Sequence, residues 1–196
     1  MNSIKDMGIS NDSIDRIKLE VINCKLCNLC INRTNAVPGD GNPKATIMFI
    51  GEAPGRNEDE KGKPFVGMAG KILDEALAKV GLERSRIYIT NIVKCRPPSN
   101  RVPTEEERRV CKSYLEREIS VVSPEIICIL GRTAYQSLLG GSSILGNRGK
   151  FIQKDNRLYF ITVHPAAIIY NNKLRNVLEN DMQKLVLECR RWEIPI

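Results

Sequence analysis

The chain has 196 residues, 42% of them hydrophobic, and a formal charge of +7. That length suits one domain over 1–196 with a sizeable core, and no run approaches the ~18 apolar residues of a membrane helix. The basic excess favours a polyanionic partner, chiefly nucleic acid, although charge alone weighs equally for a simple solubility role.

In chain order, Met1 to Leu19 has no apolar leader core, so the expected compartment is the cytoplasm, beside the nucleoid. Ser10 to Asn23 places Ile14, Ile17, Val21 and Ile22 at helical spacing, with Ser10 as the expected N-cap. A cysteine-rich turn follows. Ala45 to Ile50 is a short apolar run that reads as a buried strand ending at Gly51. Ala69 to Val80 carries a helical apolar stripe, with Gly81 as its stop. Arg86 to Val93 is rich in β-formers. Thr104 and three glutamates open a helix to about Val121. Glu125 to Leu130 is another buried strand, with a helix from Gly131 through Leu139. Phe151 and Ile152 fit a short antiparallel addition, Leu158 to Val163 a further strand, and Leu174 to Arg191 a last helix. Alternating helices and all-apolar strands predict a three-layer α/β/α sandwich around a mainly parallel sheet.

The unusual residues fall just after strands: Gly51 to Gly55, Asn91 to Arg96, Gly131-Arg132, and His164 to Ala167. Parallel α/β sheets bind ligands at the carboxyl ends of strands, so these four loops are expected to converge on one cleft.

Seven cysteines is an odd count, which argues against a disulfide framework and for metal ligation or buried thiols. Cys24-x2-Cys27 is a metal-ligand pair, since one turn presents both sulfurs to one centre. Cys95 and Cys111 supply two further thiols, and Cys30 lies near the first pair. Cys128, inside an apolar strand, reads as a small core residue; Cys189, among charges, reads as a bystander. Spacing alone does not separate zinc from iron–sulfur.

Together, GEAPG at 51–55 with Glu58-Asp59, GKPFVG at 62–67, ITNIVKCRPP at 89–98 and HPAA at 164–167 closely resemble the iron–sulfur branch, or family four, of the uracil-DNA glycosylases. The resemblance runs from Cys24 to the final helix. It implies a monofunctional enzyme, a monomer, that flips uracil out of double- or single-stranded DNA and hydrolyses its glycosidic bond. It also implies a [4Fe–4S] cluster on Cys24, Cys27, Cys95 and Cys111, within the segments 24–27 and 95–111. A replication clamp is a candidate partner. The His164 loop lacks the basic insertion of a related branch that crosslinks to abasic DNA.

The same resemblance assigns roles. Phe65 stacks on the flipped base, Asn91 reads N3–H and O4, and neutral His164 donates to O2 as charge grows. Gly51 lets the backbone at Glu52 and Ala53 approach the base, and Glu58 walls off a 5-methyl group. Ala53 stands where better-known relatives carry a water-assisting aspartate, leaving Glu52 as the nearest carboxylate. From their placement, Lys94, Arg96, Arg101, Arg132, Arg148 and Lys150 are expected phosphate contacts, some of them mere surface charges, and Ile168 is either the wedge that fills the vacated stack or a buried first-turn residue. Without the resemblance, Phe65 reads better as a core anchor and His164 as a structural histidine. A zinc-stapled binding module and an enzyme for deaminated purines are the rival readings.

Overall fold

The computed structural model of the chain describes residues 12–196. Six strands form one sheet: β1 (Asp40–Gly41), β2 (Ile47–Gly51), β3 (Tyr88–Asn91), β4 (Ile126–Leu130), β5 (Phe151–Lys154) and β6 (Arg157–Thr162), in the order β1-β3-β2-β4-β6-β5. The four central strands are parallel, and β1 and β5 pair antiparallel at the two edges. The antiparallel addition at Phe151 and Ile152 is thus present as β5.

Period-two alternation splits each parallel strand between two cores. Met48 and Ile50, with Ile127 and Ile129, face α1 (Ile14–Ile22), α5 (Glu105–Val122) and α6 (Arg132–Leu139). Ile47 and Phe49, with Ile126 and Cys128, face α4 (Met68–Lys79), α7 (Ala166–Tyr170) and α8 (Leu174–Arg191). This is the expected three-layer sandwich.

Helix ends follow local chemistry. Thr104 caps α5: its Oγ1 accepts from Glu107 N at 3.2 Å while the Glu107 carboxylate accepts from Thr104 N at 2.7 Å. The cap expected at Ser10 lies outside the described residues; α1 begins at Ile14, capped by Ser13. Three short helices have no counterpart in the sequence reading: α2 (Leu29–Asn32), α3 (Arg56–Lys61) and α7.

Candidate active site

Three of the four expected loops meet at one cavity of about 520 Å³, inside the ~300–1,000 Å³ span of small-molecule sites. Glu52 to Glu58, Phe65, Asn91 and His164 line it, with Pro97, Asn100 and Arg101 on the cysteine side. Ile169 and Tyr170 lie at its helical rim. Gly131 stands behind the site: a Cβ there would lie 2.7 Å from His164 Cβ, so the bare glycine lets the histidine seat.

Asn91 ends β3 and is buried, and among the described residues its side-chain Oδ1 has no hydrogen-bond partner. Buried acceptors are nearly always satisfied, and on the cavity wall this one is free to accept from a bound molecule. Phe65 sits in the left-handed region at φ +52°. Packing fixes it there. A Cβ on Gly70 would lie 1.9 Å from Phe65 O, and one on Gly51 would lie 2.5 Å from Asn91 Oδ1 and 2.6 Å from Phe65 Cζ. Glu58 clamps the same loop: its carboxylate accepts from Val66 N at 2.9 Å, Gly67 N at 2.7 Å and Gly55 N at 3.1 Å. Its visible job is therefore to staple the Gly55 turn to the Phe65 loop.

His164 Nδ1 accepts from Ala166 N at 3.1 Å. In the neutral ring this leaves the proton on Nε2, as a donor. Burial pushes its pKa down to about 4, against a small opposing pull from Glu58, so the imidazole is neutral at neutral pH. Its ring stands 5.7 Å from that of Phe65. Glu52 is the second carboxylate on the cavity wall, and no hydrogen bond to its carboxylate is found among the described residues.

Several expected DNA contacts are corrected. Lys94 is 1% exposed and cannot reach a phosphate; its Nζ donates to Glu118 Oε2 at 2.6 Å, Thr90 Oγ1 at 2.5 Å and Asn91 O at 2.9 Å. Ile168 is 3% exposed and packs in the core under α4 and α8, so it is no wedge; Ile169 at 51% and Tyr170 at 90% are the exposed side chains of that helix. The guanidinium of Arg148 is committed to the buried carboxylate of Asp181, which also accepts from Thr162 Oγ1 at 2.7 Å. Arg101 lines the cavity but donates to both oxygens of Glu107, at 2.7 and 2.8 Å. Arg96 is half-buried and donates to Asn100 Oδ1 at 2.8 Å; Arg132 and Lys150 are exposed but not on the cavity wall.

Glu118, missed above, had a signal. It lies four residues after Tyr114 and four before Val122, a charge on the apolar face of α5.

Cys24, Cys27, Cys95 and Cys111 all line a second, small cavity with Val93, Lys94, Glu107 and Tyr114. Cys30 is half-exposed and does not line it, while Cys128 and Cys189 are both 0% exposed, so Cys189 is a core residue despite its charged neighbours. Burial raises the Cys27 and Cys95 thiols, and Cys111 is pushed up to about 12. Arg33 Nη1 donates to Cys95 Sγ at 2.9 Å, and Lys94 N donates to Cys111 Sγ at 3.3 Å. Buried thiols with cationic and N–H donors aimed at sulfur are poised to ionise once a metal takes the charge. No three His, Cys, Asp or Glu side chains among the described residues are arranged around a single metal ion. Four thiols on one cavity wall are the donor set of a sulfur-ligated centre.

The family model described as the Uracil DNA glycosylase superfamily matches residues 38–187, and the chain belongs to that superfamily. Its relatives place it in the type-4 branch. It is 50% identical to a type-4 uracil-DNA glycosylase of Sulfurisphaera tokodaii, covering 89% of this chain and 84% of that one. It is 45% identical to one of Archaeoglobus fulgidus, covering 91% and 94%, and 42% identical to one of Thermotoga maritima, covering 91% and 95%. The buried cysteines and these relatives are together consistent with an iron–sulfur cluster.

Proposed function

We propose that this chain excises uracil from DNA: water displaces the base at C1′, releasing free uracil and leaving an abasic site in an intact strand. A base inside a duplex is out of reach, so it must first leave the stack. The observation that carries the reading is the unpartnered, buried Oδ1 of Asn91 on a cavity shared with Phe65 and His164. The Asn91 carbonyl accepts from uracil N3–H and its amide donates to O4, a pattern that cytosine reverses. Phe65 offers its ring face to the base. The Nε2–H of His164 donates to O2, where negative charge gathers as the glycosidic bond breaks. Glu58, pinned by three backbone N–H groups, is a rigid wall against a 5-methyl group. Glu52, whose carboxylate has no hydrogen-bond partner among the described residues, orients the water and faces the cationic sugar.

Ile169 and Tyr170, rather than Ile168, are the apolar side chains that enter the vacated stack. Arg96, Arg132 and Lys150 are the expected basic side chains left to meet phosphates. Cys24, Cys27, Cys95 and Cys111 line one small cavity and supply the four thiolates that a [4Fe–4S] cluster would need. A cluster on these four thiols would tie the 24–27 turn to the segment after β3 and to α5, a structural role, since base excision needs no electron transfer. The enzyme acts as one domain and a monomer in the cytoplasm.

The test is base release by Asn91→Asp and Asn91→Ala from single-stranded oligonucleotides carrying uracil or cytosine. Asp removes the donor to O4 and can accept from the cytosine amino group. The reading predicts loss of most uracil release by both variants and weak cytosine release by Asn91→Asp alone. Wild-type uracil release by Asn91→Ala would show that this residue does not read the base.

A further inference from the structure

Lys94 and Glu118 form a fully buried ion pair, with side chains 1% and 0% exposed. All three ammonium protons are used: they go to Glu118 Oε2, Thr90 Oγ1 and Asn91 O. The Thr90 hydroxyl donates to Glu118 Oε2 at 2.8 Å, and Glu118 Oε1 accepts from Gly39 N at 2.9 Å. Stability alone does not account for such a pair, because a well-packed apolar replacement is often neutral or stabilising.

Placement does account for it. Lys94 follows Asn91 by three residues, and its chain turns back to hold that residue's carbonyl. Its own main-chain N–H donates to Cys111 Sγ, and it lines the cysteine cavity. Glu118 anchors the ammonium to α5, the helix that also carries Cys111. One side chain thus runs from the cysteine site to the backbone of the residue that faces the base.

We infer that Lys94 and Glu118 are a positioning pair that fixes the Asn91 amide for base selection, linking the α5 cysteine site to the base cavity. The inference rests on the uracil reading of Asn91. The pair touches no substrate; it acts by denying the Asn91 peptide any other orientation. Slight misplacement of a reacting partner can lower a rate on the order of a hundredfold.

The test is a double-mutant cycle on single-stranded uracil DNA. Lys94→Met with Glu118→Leu removes both charges together and leaves neither buried alone. This variant is expected to keep wild-type iron content and KM while kcat falls on the order of tenfold to a hundredfold. In the Asn91→Ala background the same change should cost nothing further. The side-chain amide signal of 15N-labelled Asn91 should shift or broaden in the pair variant. Additive losses, or an unmoved Asn91 signal, overturn the inference. If the pair variant does not fold, Thr90→Val removes the bridging hydroxyl alone and is held to the same non-additivity. Absence of uracil release by the wild-type protein would instead overturn the uracil reading itself.

Discussion

Gly51→Ala adds one methyl group at the point where the base cavity is tightest. Its Cβ would stand 2.5 Å from Asn91 Oδ1 and 2.6 Å from Phe65 Cζ, whereas ordinary contact begins at 3.4 Å. Both groups must retreat by nearly an ångström. Overpacking a core by one methyl group costs about 1–3 kcal/mol, within the ~5–15 kcal/mol of a typical domain, so the fold survives. The geometry of the base cavity does not. An ångström of misplacement lowers kcat on the order of a hundredfold. The assay is single-turnover uracil release from a single-stranded oligonucleotide, with the thermal melt and iron content measured alongside. Gly146→Ala is the control, because a Cβ there meets only Ser143 Oγ at 3.7 Å. A folded Gly51→Ala protein with wild-type kcat would refute the assignment of Phe65 and Asn91 to one base-reading site.

Replacing Cys24, Cys27, Cys95 or Cys111 by Ala should remove the visible absorbance and lower the melting temperature, because metal binding contributes to folding; Cys30→Ala, Cys128→Ala and Cys189→Ala should keep the colour, and unchanged iron in Cys111→Ala would break the ligand set. His164 has a folded pKa of about 4 against an ordinary 6.5, so its contribution to stability is complete above 6.5 and is lost as pH falls from there through 4. On this group's account kcat should be flat from about pH 5 to about pH 8, and a step near 6.5 that vanishes in His164→Gln would contradict it. Tyr170→Ala should slow release from U:A duplexes far more than from single strands, since only the duplex has a stack to refill; equal losses would remove Tyr170 from that role. Arg96→Ala should flatten the salt dependence of DNA binding without changing base preference, and an unchanged slope would take it off the DNA face.

Much of this architecture is legible in the sequence where one pattern decides the outcome. The helix Leu174–Arg191 is long and periodic, and its bounds match the apolar stripe. The α5 start is written in Thr104 and Glu107, a local exchange of hydrogen bonds. Buried parallel strands come within a residue or two because their apolar runs are short and bounded. The failures are of another kind. The six-residue α3, RNEDEK, has no apolar period and is held by the Glu58 clamp and by Asp59, whose carboxylate accepts from Thr34 N at 3.0 Å. Ile168 and Ile169 are chemically identical neighbours; which one is buried depends on the phase of a five-residue helix that starts at Ala166.

The base site divides the same way. Gly51, Phe65, Asn91 and His164 could be named because strand ends and resemblance converge on them. The fate of each cation could not, because it is set by an acid far along the chain. Lys94 meets Glu118 and Arg148 meets Asp181, and nothing near either lysine or arginine announces its partner. A basic residue beside a cysteine motif looks the same whether it faces DNA or the core.

The most direct measurement is base release by the wild-type protein from one oligonucleotide set: uracil in a single strand, U:G, U:A, T:G, and hypoxanthine opposite thymine. Asn91 matched to N3–H and O4, with Glu58 as the wall, predicts free uracil from the first three substrates and no release of thymine or hypoxanthine. Hypoxanthine release with uracil left in place would contradict the account at its centre.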